Sequence, residues 1–179
     1  MPCSIPQAKI EAAIAFHGHF CPGLTIGIRA VELAGRELGE LDSLDLVAVA
    51  ETDMCGVDAI QFLTDCTFGK GNFIHRDHGK RAFTFFDRRS GKGFRALLRE
   101  TAMAGPEATR EEAIDHFMDL PLDELFSVTR LDCPPPRPAA VLESLRCERC
   151  GEMTMESRTR RYGGKTYCIP CFEEIDQKL

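Results

Sequence analysis

Residues 133–138 read Cys-Pro-Pro-Pro-Arg-Pro, and no other segment constrains the chain as strongly. Prolines this dense lock the backbone and remove its donors, so the stretch is neither helix nor central strand and runs as an extended spacer. It divides the 179 residues into a core domain, 1–140, and a tail, 141–179. The core is long enough to bury a sizeable apolar interior, and 44% of the whole chain is hydrophobic. The tail is too short to do so and needs another source of folding free energy.

That source is legible in its cysteines. Cys147-x-x-Cys150 and Cys168-x-x-Cys171 stand 17 residues apart, the spacing of a four-thiolate zinc site. Gly151 after the first pair suits a tight thiolate knuckle. Thr154 to Arg161 and Lys165 to Tyr167, flanking Gly163-Gly164, predict a hairpin. Cys168 and Cys171 then enter a short final helix, which makes the tail a treble-clef or ribbon-type module with structural zinc. The nine cysteines are odd in number and grouped beside histidines, which points to metal binding in a reducing, cytoplasmic setting rather than to disulfides. No run of about twenty apolar residues occurs and the first ten have no signal-peptide layout, so neither a membrane span nor export is expected.

In the core, Phe16 to Leu24 reads FHGHFCPGL. His17, His19 and Cys21 are three potential ligands within five residues, directly before a helix start marked by Pro22. Apolar residues or glycine at 24, 27, 28, 31, 35 and 38 continue a helical stripe, and Gly39 is its stop. Cys21 therefore falls at or beside the N-cap, where the helix dipole favours thiolate. For an H-x-H-x-C run to converge on one ion, the loop must bend sharply.

A second segment, ETDMCGVDAIQFLTDC from Glu51 to Cys66, follows the apolar run Leu46 to Ala50, which predicts a short buried strand. Cys55 lies in the turn after it, at the start of a helix with Val57, Ile60 and Leu63 on its apolar face. Cys66 is about 16 Å further along a helix axis, too far to share an ion with Cys55, and is expected to be a buried hydrophobe. Asp53 and Asp58 are placed either to orient a ligand histidine or to cap the helix, with capping favoured. The site expected from these residues uses His17, Cys21 and Cys55, with His19 as the alternative to His17. Three protein ligands would leave a fourth position for solvent or substrate.

Asn72 to Asp77 and Ala82 to Asp87 predict two strands joined as a hairpin through His78-Gly-Lys-Arg81. Phe126 to Asp132 alternates as a half-exposed strand. Gly91 to Arg99 and Thr109 to Met118 read as helices, the second opened by a Thr109/Glu112 capping box. His75 and His78 are expected at the surface or in hydrogen bonds. Strands and helices without a regular βαβ series imply an α+β core with a mixed or antiparallel sheet.

FHGHFCPGLTIG, TDMCGVDAIQFLTDCTFGKGNFIHRDHGKRAFTFF and the four-cysteine tail together resemble the E-subunit family of formylmethanofuran dehydrogenases, over roughly Pro6 to Phe172. The resemblance implies a homodimeric α+β domain with a bound metal, many members carrying a small zinc module. Carried across, it points to His17, His19, Cys21 and Cys55, to one-carbon metabolism, and to association with a molybdenum or tungsten oxidoreductase. The chain is too small for a pterin cofactor and has no ferredoxin-type cysteine run, so it is not expected to catalyse the whole redox reaction alone.

Charge bears on the partners. Residues 1–140 hold 15 Lys and Arg against 21 Asp and Glu, while the tail balances at 7 and 7. An acidic core disfavours nucleic-acid binding. Two functional classes follow. In one, zinc or another divalent transition metal in the core binds or activates a small molecule. In the other, the protein is a non-enzymatic accessory or regulator whose tail binds a protein or nucleic acid, with Arg158, Arg160, Arg161 and Lys165 as its basic edge.

Overall fold

A computed structural model describes residues 3–39, 45–138 and 140–175. The chain forms two compact units, 1–138 and 139–179, so the break falls at the end of the proline run.

The first unit opens with helix α1 (Gln7–His17), which Gly18 ends with φ +91° and a backbone bond to Ile14. Helix α2 (Pro22–Leu38) starts at Pro22 with Cys21 as its N-cap and stops before Gly39, as the stripe predicts. Strand β1 (Leu46–Ala50) is buried throughout, and helix α3 (Gly56–Thr64) follows with Cys55 at its N-cap. Then come β2 (Phe73–His75), β3 (Ala82–Asp87), β4 (Gly93–Leu98), α4 (Arg110–Asp119), α5 (Leu122–Leu125) and β5 (Phe126–Leu131). The Thr109/Glu112 capping box opens α4.

The strands form one mixed sheet in the order β2-β1-β3-β4-β5. The α3 crossover returns β2 parallel to β1, and the remaining pairings are antiparallel. Two expectations are corrected here. β2 and β3 do not pair with each other, because β1 lies between them. The link between them instead bonds to the end of β1, Arg76 to the Ala50 carbonyl and Lys80 to that of Glu51. Residues 91–99 are not helical but supply β4, paired on both sides, with Phe94, Ala96 and Leu98 buried on one face. A central place in a sheet outweighs the helix propensity of Arg-Ala-Leu-Leu-Arg.

Helix α2 is buried on two sides, which explains why its apolar face is wider than a single stripe. Ile26, Ala30, Leu33 and Ala34 meet the sheet through Phe83, Phe85 and Phe94. Leu24 and Ile28 meet Ile10 of α1 and Ala59 of α3. Arg29 is fully buried, donating to the Met118 and Leu120 carbonyls, each at 2.6 Å. It thereby satisfies carbonyls at the C-terminal end of α4 that have no intrahelical partner.

The second unit contains hairpins β6 (Ser144–Arg146) with β7 (Met153–Met155) and β8 (Thr159–Tyr162) with β9 (Lys165–Cys168), then helix α6 (Ile169–Glu173). Gly163 and Gly164 turn the second hairpin at φ +56° and +78°, as expected. The hairpin begins at Thr159, since residues 153–155 belong to the first one. Residues 176–179, predicted to continue the final helix, lie outside the described residues. No helix among the described residues is long and apolar enough to cross a membrane.

Candidate metal centre

The start of α3 crosses the start of α2 at glycine. A Cβ placed on Gly27 would fall 2.2 Å from the Gly56 carbonyl oxygen, so the backbones meet with no side chain between them. This contact brings two helix N-termini together, Cys21 at one and Cys55 at the other. A Cβ on Gly23 would stand 3.7 Å from the Cys55 Sγ and 4.0 Å from the Cys21 Sγ, so the two thiols share one small space. The last turn of α1 adds His17, and the Gly18 turn brings His19 back against it, ring centroids 4.4 Å apart.

The ligand atoms of His17, His19, Cys21 and Cys55 all lie within 4.8 Å of one another. The His17 Nε2 is 3.9 Å from the Cys21 Sγ. Tetrahedral zinc with bonds of about 2.0–2.3 Å separates its donors by roughly 3.3–3.8 Å, so small side-chain adjustments suit the cluster to one ion. Two sulfurs and two imidazole nitrogens form the donor set that zinc prefers. Both histidines join the cluster, where the sequence had offered them as alternatives.

Two further corrections concern this site. His17 is on a helix rather than a loop, a placement signalled by Ile10, Ala13, Ile14 and His17 recurring at helical spacing between Pro6 and Gly18. Asp58 does not cap α3 but accepts a hydrogen bond from His17 Nδ1 at 2.7 Å. That bond leaves His17 Nε2 as the free ligand nitrogen and fixes the ring's orientation. The readable signal was Cys55-x-x-Asp58, one helical turn apart and therefore on one face.

The helix start does not by itself ionise Cys55. Burial pushes its thiol above the ordinary value, and the neighbouring Cys21 raises it further. Two thiols this close resist joint ionisation unless a cation is present.

The other candidates stand apart. Cys66 is fully buried, its thiol donating to the Leu46 carbonyl at 3.5 Å, and burial raises its pKa. His78 bonds to Glu51 at 3.2 Å and Asp53 is exposed. His75 is outside the cluster. A cleft of about 840 Å³ near Arg29, Glu32 and Leu122 includes none of the four donors.

In the second unit, Cys147, Cys150, Cys168 and Cys171 also bring their sulfurs within 4.8 Å of one another. Gly151, at φ +78°, turns the first knuckle as the Cys147 carbonyl accepts from its N–H. Cys168 stands at the N-cap position of α6 and Cys171 lies in its first turn. Knuckle, hairpin and helix start follow in treble-clef order. Backbone N–H groups, that of Cys150 foremost, draw the Cys147 thiol down to about 6, while Cys168 beside Cys171 pushes that thiol up to about 12. Neighbouring sulfurs hold the Cys171 thiol protonated, and a divalent cation among the four would offset that opposition.

The family described as FmdE, molybdenum formylmethanofuran dehydrogenase operon, matches residues 16–127, which hold all four donors of the core cluster. The chain belongs to the FmdE family. Behind the FmdE domain, residues 142–177 match the prokaryotic dksA/traR C4-type zinc finger, and that description implies zinc at the four cysteines. A crystal structure of a tungsten formylmethanofuran dehydrogenase FmdE-like protein from Syntrophus aciditrophicus superposes with a TM-score of 0.71 at 25% identity. The match covers 97% of this chain and 94% of that one. A protein of Archaeoglobus fulgidus described as a probable S-adenosyl-L-methionine-binding protein is 28% identical over 92% of this FmdE chain. The chain spans 56% of that relative's length.

Proposed function

We propose that the FmdE domain is a mononuclear centre for zinc or a related divalent metal that binds a small molecule of one-carbon metabolism, while the C-terminal finger holds a second, structural zinc. The observation that carries this reading is the convergence of four donors from α1, its following turn, and the starts of α2 and α3, with His17 already oriented by Asp58. A bound divalent cation would supply Lewis acidity there, polarising a substrate oxygen or acidifying a water.

The chain's own residues divide the remaining work. Cys21 and Cys55 offer two thiolates that balance a divalent charge. Leu24 donates its backbone N–H to the Cys21 sulfur at 3.4 Å and holds it in place. His17 is nine-tenths buried, whereas His19 is exposed, so solvent and ligands approach from the His19 side. The one-carbon assignment is supported by the relatives' descriptions: formylmethanofuran and S-adenosyl-L-methionine are both one-carbon carriers.

The test is metal content of the full chain purified without added metal, beside binding of S-adenosyl-L-methionine by calorimetry. Two metal equivalents should fall to one in a Cys21→Ser/Cys55→Ser variant, with ligand binding lost. Equal metal content in wild type and variant would remove the core centre.

A further inference from the structure

The four donors of the core cluster are held unequally. His17 ends α1 with its Nδ1 committed to Asp58 at 2.7 Å. Cys21 is buried and receives the Leu24 N–H. Cys55 is fixed by the glycine crossing of α2 and α3. His19 differs on each point. It is exposed, follows Gly18 in its left-handed turn, and among the described residues has no hydrogen-bond or ion-pair partner, only the tilted stack on His17.

We propose that His19 is the exchangeable ligand of this centre: it completes the donor set at rest and leaves it to admit a small molecule bearing one oxygen or nitrogen donor. This rests on the core metal reading. Three considerations single out His19. Losing a thiolate from a divalent cation forfeits a full charge interaction, whereas losing a neutral imidazole does not, so the leaving ligand is a histidine. Of the two, His17 has the carboxylate partner that orders a metal-bound imidazole, and His19 lacks one. An exposed side chain beside a glycine turn also regains rotamer freedom when released, which offsets part of the bond it gives up. The result reconciles four converging donors with a site open to ligand: three residues hold the ion and the fourth guards its open position.

Cobalt(II) reports on this directly. In the full-length protein, the core signal is the thiolate-to-cobalt absorption that disappears in Cys55→Ser, which sets aside the contribution of the C-terminal finger. Imidazole is the probe. The His19→Ala protein should keep the core signal with cobalt affinity within about tenfold of wild type, whereas His17→Ala should lose about a hundredfold or more. Imidazole should then shift the cobalt ligand-field bands of His19→Ala at concentrations about tenfold below those that shift wild type.

If His19→Ala loses cobalt as completely as His17→Ala, His19 is a fixed ligand and the inference falls while the metal reading stands. If its bands match wild type before and after imidazole, His19 is no ligand at all and the inference falls likewise. If no wild-type absorption is lost in Cys55→Ser, the metal reading fails and takes this one with it.

Discussion

Gly27 of α2 and Gly56 at the start of α3 touch backbone to backbone, and a Cβ on Gly27 would overlap the Gly56 carbonyl at 2.2 Å. The crossing sets the distance between Cys21 and Cys55. Gly27→Ala should therefore cost about 1–3 kcal/mol of stability through overpacking and also lower metal retention in the core. Gly35, in the same helix, has nothing within 4 Å of its would-be Cβ. Gly35→Ala should be neutral or stabilise by up to about 1 kcal/mol. Thermal unfolding of the two variants should move in different directions; equal destabilisation would show that the crossing is not what matters.

Asp58 holds His17 without reaching the cluster itself. Asp58→Ala should weaken core metal affinity by about 10- to 100-fold while leaving the fold intact. Chelator competition measures the first and circular dichroism the second. Unchanged affinity would make the Asp58 bond incidental.

Glu51 is buried at the end of β1, and Arg95 of β4, bonded to it through two nitrogens, holds its carboxyl down at about 2, with His78 assisting. A carboxyl whose folded pKa lies below its unfolded value stabilises fully above the unfolded value, and the contribution fades as pH falls toward the folded one. The window is therefore pH 4.5 down to about 2. Over it, wild type should lose roughly 3 kcal/mol that Glu51→Gln does not lose. Urea unfolding of both proteins across this range provides the comparison, and parallel curves would contradict it.

Cys168 is buried, ends β9 and is one of the four clustered thiols, so Cys168→Ser should release the finger's metal and melt hairpin β8–β9. One metal equivalent should leave, and the Thr166 amide, bonded to the Glu148 side chain at 2.7 Å, should lose its protection from hydrogen exchange. Retention of all metal would show that three thiolates suffice.

Arg29 is buried beside Glu32, with its guanidinium on the Met118 and Leu120 carbonyls. Arg29→Ala leaves those carbonyls and a carboxylate without their cation and should destabilise by about 3–5 kcal/mol. Chemical denaturation checks this. A loss below about 1 kcal/mol would mean that water replaces the guanidinium.

Sequence alone determined what local chemistry determines. Pro22 with Gly39, Thr109 with Glu112, Gly163-Gly164 and the paired cysteines of the finger act between residues a few positions apart, so their spacing carries the answer. The proline run marked the division between the units for the same reason, and Cys21 and Cys55 at helix starts made two of the candidate donors visible. Tertiary structure decided whatever depends on partners distant in the chain. Whether residues 93–98 were strand rested on β3 and β5 lying to either side, and local propensity pointed the other way. The place of β1 between β2 and β3 depended on the crossover through α3. Asp58 bonds to a histidine 41 positions earlier. The gathering of His17, His19, Cys21 and Cys55 required two glycines, 27 and 56, to meet across two helices. Such contacts join residues distant in the chain, so local spacing places each donor on its element but does not fix which elements meet.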